Sequence, residues 1–416
     1  MGKTFSIISL GCPRNLVDSE VIVSEFKKKG FVFQDEAAKA DTVIVNTCAF
    51  IEDAKKESID TILKVIDAKK NGDVKRIVVA GCLPERYGKE LKKELKEVDE
   101  FRGVLDFKRA GERTTSLTPR HYAYLKISEG CRNKCTYCII PDIKGPYRSR
   151  GMESVLEEAE GLIEKGIKEI VLVGQDTSLY GIDLYKKKRL AELLRKLDKI
   201  SKENWVRILY CHPANLENDV IGAIRDSRHI CKYIDLPIEH ISDRILKEMH
   251  RRITKKDIIR LIRFIRREIP GVALRTSFIV GFPGERDSEF QELLSFIEEI
   301  RFERLGLFRY SREEGTPAYN LKGQIRELEK ERRFSQAMLL QQGVSRGINE
   351  RFKGQILKTL IEEKEEDRYI ARTEYDAPEV DGCVYVRGKD LKLGNFYNVR
   401  INDTYEYDLT GEVVQG

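Results

Sequence analysis

From Thr4 to Tyr310 the chain alternates short β-rich runs with stretches of helical periodicity. That alternation restricts it to folds built on parallel strands covered by helices. In the first hundred residues the runs TFSIISL, TVIVNT and RIVVAG are separated by helix patterns near Val17–Lys29 and Glu52–Lys69. They predict a doubly wound α/β domain over 1–105. A polar connector, 106–120, follows. The alternation then resumes with YAYLKIS, KEIVLVG, WVRILYC, YIDLPI, VALRTSFIVG and RLGLFRY, six βα repeats in about 190 residues. This is an incomplete, TIM-like (βα)6 version of the eight-fold barrel, expected over 121–350 with a trailing helix near Arg326–Glu350. From Phe352 onward five short β stretches follow with no helix between them. They predict a small antiparallel β-barrel over 351–416.

Length and composition agree with several domains. A chain of 416 residues exceeds one ordinary core. No apolar run approaches the ~18 residues that span a bilayer, and the first residues read as a strand rather than a signal peptide. A cytoplasmic protein without membrane association is expected. The net charge of +6 is uneven: residues 351–416 hold 10 basic and 14 acidic residues, a net −4, and residues 1–350 a net +10. Nine cysteines in such a chain suit metal better than disulfides. Cys211, Cys231 and Cys383 lie in or beside apolar stretches and read as core.

Cys12, Cys48 and Cys82 each end one of the first three strands, at spacings of 36 and 34 residues. In open parallel sheets, ligands bind beyond the carboxyl ends of the strands, so these thiols are expected to converge there. Gly11 and Gly81 allow close backbone approach. The alternative is three buried core cysteines. A second set, Cys131, Cys135 and Cys138, stands in a C-x3-C-x2-C spacing inside the loop Glu129–Arg150. Thiolates select soft metals and iron–sulfur clusters. Three so close, with no fourth nearby, suit a 4Fe–4S cluster with one iron open to another ligand. A zinc knuckle with a distant fourth ligand is the plainer alternative.

The spacing, with Tyr137 just before the third cysteine, resembles the radical S-adenosylmethionine (SAM) superfamily. That resemblance implies SAM on the open iron and Tyr137 near the adenine. TSFIVGFPGE matches the superfamily's glycine-rich strand end at Ile279, Gly281, Gly284 and Glu285. Gln175 and Asp176 follow the strand KEIVLVG and reach over the expected barrel mouth. Arg275 and Gln175 could hold either a SAM carboxylate or a substrate carboxylate. Glu239 and His240 follow YIDLP, and His240 could equally be a core histidine.

Taken whole, the chain resembles the methylthiotransferases, whose three parts are an amino-terminal cluster domain, a radical SAM barrel and a small OB-like barrel called TRAM. The resemblance implies Cys12, Cys48 and Cys82 as ligands of an auxiliary 4Fe–4S cluster, and Cys131, Cys135 and Cys138 as ligands of the radical cluster. SLGCPRNLVDSE, NTCAFIEDAKKESID and APEVDGCVYVRG are similar to the branch acting on protein 12 of the small ribosomal subunit. That branch implies methylthiolation of an aspartate β-carbon, with a 5′-deoxyadenosyl radical, sulfur from the auxiliary cluster, methyl from a second SAM, and electrons from a flavodoxin or ferredoxin. The acidic terminal segment suits a basic protein substrate better than nucleic acid. The rival readings are methylthiolation of adenosine in tRNA, a non-catalytic two-cluster electron carrier, and an RNA-binding module with structural clusters.

Overall fold

The computed structural model describes residues 3–109 and 113–414. Residues 110–112, inside the expected connector, lie outside the described residues.

The amino-terminal part runs β1 (Thr4–Ser9), α1 (Pro13–Lys28), β2 (Val32–Phe33), β3 (Thr42–Thr47), α2 (Glu52–Lys70), β4 (Arg76–Gly81), α3 (Cys82–Glu94) and β5 (Glu100–Phe101). Its strands form one sheet in the order β2-β1-β3-β4-β5 with every pairing parallel. Alternating residues of the strands feed both faces. Ile44 and Val78 meet Ile22, Val23 and Phe26 of α1 on one side. Val43, Val45 and Val79 meet Ile62, Ile66 and Leu91 of α2 and α3 on the other. Each fully buried side chain of this kind contributes roughly 1.5–3 kcal/mol of transfer free energy. The chain leaves β1 toward one edge and β3 toward the other. The gap between these two strands is therefore the topological switch point where such sheets bind ligands.

The middle part holds β6 (Tyr122–Lys126), β7 (Ser128–Glu129), α4 (Ile140–Lys144), β8 (Arg148–Ser149), α5 (Met152–Glu164), β9 (Glu169–Val173), α6 (Leu190–Ile200), β10 (Trp205–Ile208) and α7 (Asn218–Asp226). It continues with β11 (Tyr233–Asp235), α8 (Asp243–Glu248), α9 (Lys255–Glu268), β12 (Ala273–Val280), α10 (Asp287–Ile300), β13 (Arg304–Arg309) and α11 (Glu327–Asn349). The sets β6-β9-β10 and β11-β12-β13 are each all parallel. A Val206–Ile230 bridge joins them into one curved wall of six strands. Thr254 starts α9 by accepting the Asp257 N–H, and Glu289 of α10 reaches back to accept the Arg286 N–H at 2.8 Å.

The last part is a closed five-stranded barrel of β14 (Ile356–Glu365), β15 (Arg368–Thr373), β16 (Val384–Arg387), β17 (Phe396–Thr404) and β18 (Leu409–Val413). Irregularities at Ile361/Glu363 and Ile401/Asp403 help the strands curl. The pairings are antiparallel except β16 with β18, which run parallel. The purely antiparallel expectation misses that pair, because β17 intervenes in sequence and returns the chain to the same direction.

The terminal barrel turns part of its acidity toward the six-stranded wall. Glu379 accepts from the hydroxyls of Tyr122 and Tyr124 at 2.6 and 3.1 Å. Asp381 accepts from Tyr233 at 2.7 Å and faces Arg275 at 3.5 Å. Asp376 pairs with Arg304, and Arg372 reaches Glu169 at 2.6 Å. The loop between β15 and β16 thus plugs the inside of the six-stranded wall. Two of this segment's acids, Asp376 and Asp381, are counter-charges to Arg304 and Arg275 of the wall rather than outer surface.

Candidate active site between two cysteine sets

Three strand ends place the first cysteine set. Cys12 is the N-cap of α1, with Pro13 at its first position, and Cys82 is the first residue of α3. Helix N-termini favour thiolate. Cys48 lies in the loop between them, where Ser58 of α2 donates to its carbonyl at 2.8 Å and accepts its N–H at 3.1 Å. Gly11 has φ +87, and a Cβ there would stand 2.6 Å from Cys48 Cβ and 3.0 Å from its Sγ. Gly81, at φ +94, would put one 2.4 Å from Asn46 Oδ1. Both glycines are required for the loops to close this tightly.

The second set comes from one loop. Gly130 has φ +75, and a Cβ there would meet Pro146 O at 2.2 Å. The Cys131 N–H donates to Gly145 O at 3.3 Å and that of Cys138 to Cys135 O at 3.1 Å. Thr136 anchors the loop end, its hydroxyl donating to Glu248 O at 2.8 Å and its N–H to Met249 O at 3.2 Å.

All nine cysteines are free. Within each set the sulfurs feel one another's charge, Cys82 from Cys48 and Cys12, and Cys138 from Cys135 and Cys131. Among the described residues, no group of three His, Cys, Asp or Glu side chains is arranged for a single metal ion. A 4Fe–4S cluster spreads its thiolates over separate irons, so three mutually interacting but separated soft donors fit that group in both places. Burial pushes Cys82 up to about 12 and Cys131 up to about 11. Burial would raise Cys12 too, but the Arg14 guanidinium, the Asn15 N–H and Lys144 outweigh it and bring Cys12 below its ordinary value.

Beside the first set, where the two domains meet, lies a buried ionic layer. Lys126 of β6 pairs with Asp18 of α1 and, at 2.7 Å, with Glu129. Lys144 of α4 meets the other oxygen of Asp18 at 3.1 Å. Burial would raise Glu129, yet Lys126 and Lys144 hold its carboxyl down at about 2. One carboxylate of the first domain thus bridges two lysines of the second. A further seam beside Cys48 joins Arg86 to Glu313 at 2.7 Å and to Ala49 O at 2.9 Å, with Lys55 at 3.0 Å from the same glutamate.

The other residues singled out by sequence are placed as follows. Tyr137 packs with Ile279 and Phe282, its hydroxyl 3.4 Å from Arg251 Nη1. Asp176 is buried and accepts from Asn133 at 2.8 Å and Asn215 at 2.7 Å, tying the cysteine loop to the next strand end. Gln175 donates to Glu129, and its Oε1 is buried without a partner. Arg275 is held by Asp235 at 3.0 Å as well as by Asp381. Gly281 has φ +76, and the space a Cβ would fill is taken by Lys330 of α11, 2.4 Å away. Gly284, at φ +75, lies against Gly323, whose added Cβ would come within 3.2 Å of it. Glu285 is buried, accepts the Gly281 N–H and lies 3.3 Å from Arg333. His240 is fully buried, with Nδ1 accepting the Ser242 N–H at 3.0 Å and Nε2 at 3.5 Å from Glu285. Glu239 sits at φ +75, and burial raises its carboxyl.

Sequence reasoning missed Arg14, Lys144, Tyr210 and Arg251. Arg14 stacks on the Tyr210 ring at 4.5 Å and donates to Gly174 O at 3.0 Å. Arg251 is buried, 3.5 Å from Cys135 Sγ. Arg14, two residues beyond a strand-end cysteine, carried a local signal; the others depend on chain crossings that no spacing announces.

The chain matches three family descriptions: "Uncharacterized protein family UPF0004" over residues 4–103, "Radical SAM superfamily" over 125–297 and "TRAM domain" over 354–414. It is 45% identical over 433 residues to the ribosomal protein uS12 methylthiotransferase RimO of Clostridioides difficile strain 630, covering 98% of each chain. It is 46% identical over 436 residues to the protein of that name in Caldanaerobacter subterraneus subsp. tengcongensis, covering 99% of this chain and 100% of the relative. Among solved structures, the radical S-adenosylmethionine methyltransferase TsrM of Kitasatospora setae has a TM-score of 0.55 at 15% identity, over 76% of this chain and 74% of that one. At such identity the likeness concerns the fold alone.

Proposed function

Because this chain belongs to the family of ribosomal protein uS12 methylthiotransferases, we propose that it replaces a hydrogen on the β-carbon of an aspartate in small-subunit protein 12 with a methylthio group. Its partners in this reading are that basic protein and, as electron donor, a flavodoxin or ferredoxin. Its cofactors are SAM and two 4Fe–4S clusters, held by Cys131, Cys135 and Cys138 and by Cys12, Cys48 and Cys82. When bound, these groups supply what acid–base side chains cannot: the activation of an unreactive C–H bond and the sulfur that replaces the hydrogen.

The observation that carries this reading is that two three-thiol sets stand on two domains joined by one buried ionic layer, which reaches Cys82 through Lys144 and Asp18. An electron carrier has no need of a second set anchored to the switch point of a separate sheet. The protein's own contribution is position and exclusion of water. Asp18, Lys126, Lys144 and Glu129 lock the two domains in register, and Arg86 with Glu313 closes the seam beside Cys48. Tyr137, Ile279 and Phe282 form an apolar wall beside the second set, suited to an adenine face. Gln175, Asp176, Arg275, Gly281 and Glu285 are the remaining candidate contacts for SAM. We divide the chain as 1–105, 121–350 and 351–416, with 106–120 between, a division that the spans of the three family matches support.

The test combines anaerobically reconstituted enzyme, SAM, dithionite and recombinant protein 12. Peptide mass spectrometry should find a methylthio group in place of one hydrogen on an aspartate. Release of 5′-deoxyadenosine without that product would redirect the search to adenosine in tRNA. Neither product from iron-loaded enzyme would sink the catalytic reading.

A further inference from the structure

We propose that Arg14 receives the side-chain carboxylate of the aspartate being modified. This rests on the functional reading above and adds to it a specificity-determining residue.

Several cations stand around the two cysteine sets and the strand ends beside them, and most already have anionic partners. Lys126 is held by Asp18 and Glu129, Lys144 by Asp18, and Arg275 by Asp235 and Asp381. Arg251 lies on the far side, against Cys135, Tyr137 and Pro237 O. Arg14 differs. Among the described residues no carboxylate is paired with it. Its polar contacts are one Nη1 donation to Gly174 O at 3.0 Å and the sulfur of Cys12, with the guanidinium 4.5 Å from the Tyr210 ring centre. It is only half-buried, at the lip where the first domain meets the end of β9. The nearest acidic side chain on that edge, Glu129, has one oxygen taken by Gln175 and the other by Lys126.

The cation is nonetheless held firmly in place. Tyr210 adopts φ +63, an uncommon backbone state for a non-glycine residue, and its N–H donates to Asp235 Oδ2 at 2.8 Å. Strain of this kind persists where the surroundings impose it, and it collects at functional sites. Tyr210 in turn fixes the plane of the Arg14 fork. A planar five-donor fork, of which Gly174 O and Cys12 take only part, suits a carboxylate.

The chemistry gives this position its point. A carboxylate entering a partly desolvated site needs a cation to offset its lost hydration. In aspartate the carboxylate carbon is bonded directly to the β-carbon. An anchor on the carboxylate therefore fixes the reacting carbon one bond away, on the side of Cys12, where the arginine sits. Positioning of this sort is what separates a productive from an idle complex.

The test uses the iron-loaded full chain with recombinant protein 12 and with its variant carrying asparagine at the modified position. Binding by fluorescence anisotropy, product formation, SAM affinity and iron content are measured for the unaltered enzyme, Arg14→Met and Arg14→Lys. The unaltered enzyme should prefer aspartate over asparagine by roughly 10- to 100-fold in kcat/KM, the range expected for one charge-assisted hydrogen-bonded contact. Arg14→Met should lose most of that preference, chiefly by weaker binding of the aspartate protein. Arg14→Lys should restore part of it. If Arg14→Met also loses iron, the comparison of aspartate and asparagine protein binding by Arg14→Lys still decides. A preference unchanged in both variants, an equal loss for the two substrates, or a loss of SAM affinity in place of protein affinity would overturn the assignment. No modification of protein 12 by the unaltered enzyme would instead overturn the functional reading beneath it.

Discussion

The two cysteine sets hold the same number of thiols but are built in opposite ways. Cys131, Cys135 and Cys138 come from one loop, positioned by local turns and by Gly130. Cys12, Cys48 and Cys82 come from three strand ends and meet only once β1, β3 and β4 have paired. Their electrostatic settings differ as well. The first set has Arg14 and Lys144 close by, whereas the second has the buried Arg251 at 3.5 Å from one sulfur. The lesson is that a local motif can form its site almost alone, whereas a dispersed one inherits every tolerance of the fold that assembles it.

The sharpest way to separate the sets is to remove one thiol from each. Cys135→Ala should abolish SAM cleavage outright, whereas Cys48→Ala should leave 5′-deoxyadenosine release in place and eliminate the methylthiolated product. Product from Cys48→Ala would break the distinction. Next in size, Asp18→Ala removes the one carboxylate shared by two buried lysines. We expect about 3–5 kcal/mol of destabilisation, as for a buried pair that loses a partner, read as a lower urea midpoint. Iron at the first set should fall before iron at the second. A smaller, more selective change is Gly11→Ala, which sets a side chain at φ +87 and 2.6 Å from Cys48 Cβ. The backbone term alone costs ~1–2 kcal/mol. Iron content should fall toward that of one cluster while SAM cleavage persists, and Gly130→Ala should produce the reverse. The smallest effect concerns the metal-free protein: Cys12 is a thiolate at lower pH than its neighbours, and Cys82 stays protonated up to about 12. Iodoacetamide should therefore label Cys12 first as pH is raised, with Arg14→Met shifting its onset to higher pH.

Much of this was legible in order. Strand-end cysteines could be read because a βα unit has a repeat length, and a 36- and 34-residue spacing matches it. The C-x3-C-x2-C loop could be read because its geometry is local. The pairing direction of β16 with β18 could not, since no turn connects them. Nor could the environment of Gly281, where a helix fifty residues onward lays Lys330 against the strand end. The acidic tail illustrates a third case: its net charge was countable, but its destination was not.

The sequence by itself determined the alternation of strands and helices, the two sets of cysteines and the close spacing of the barrel loop. These follow from periodicity and from bonds between near neighbours. Tertiary structure alone decided that Asp18 bridges Lys126 and Lys144, that Arg14 lies on Tyr210, and that Asp376, Glu379 and Asp381 reach Arg304, Tyr122 and Tyr233 of the six-stranded wall. Such contacts join residues up to 257 positions apart, and burial selects them: a charge withdrawn from water must find a partner wherever the fold has placed one.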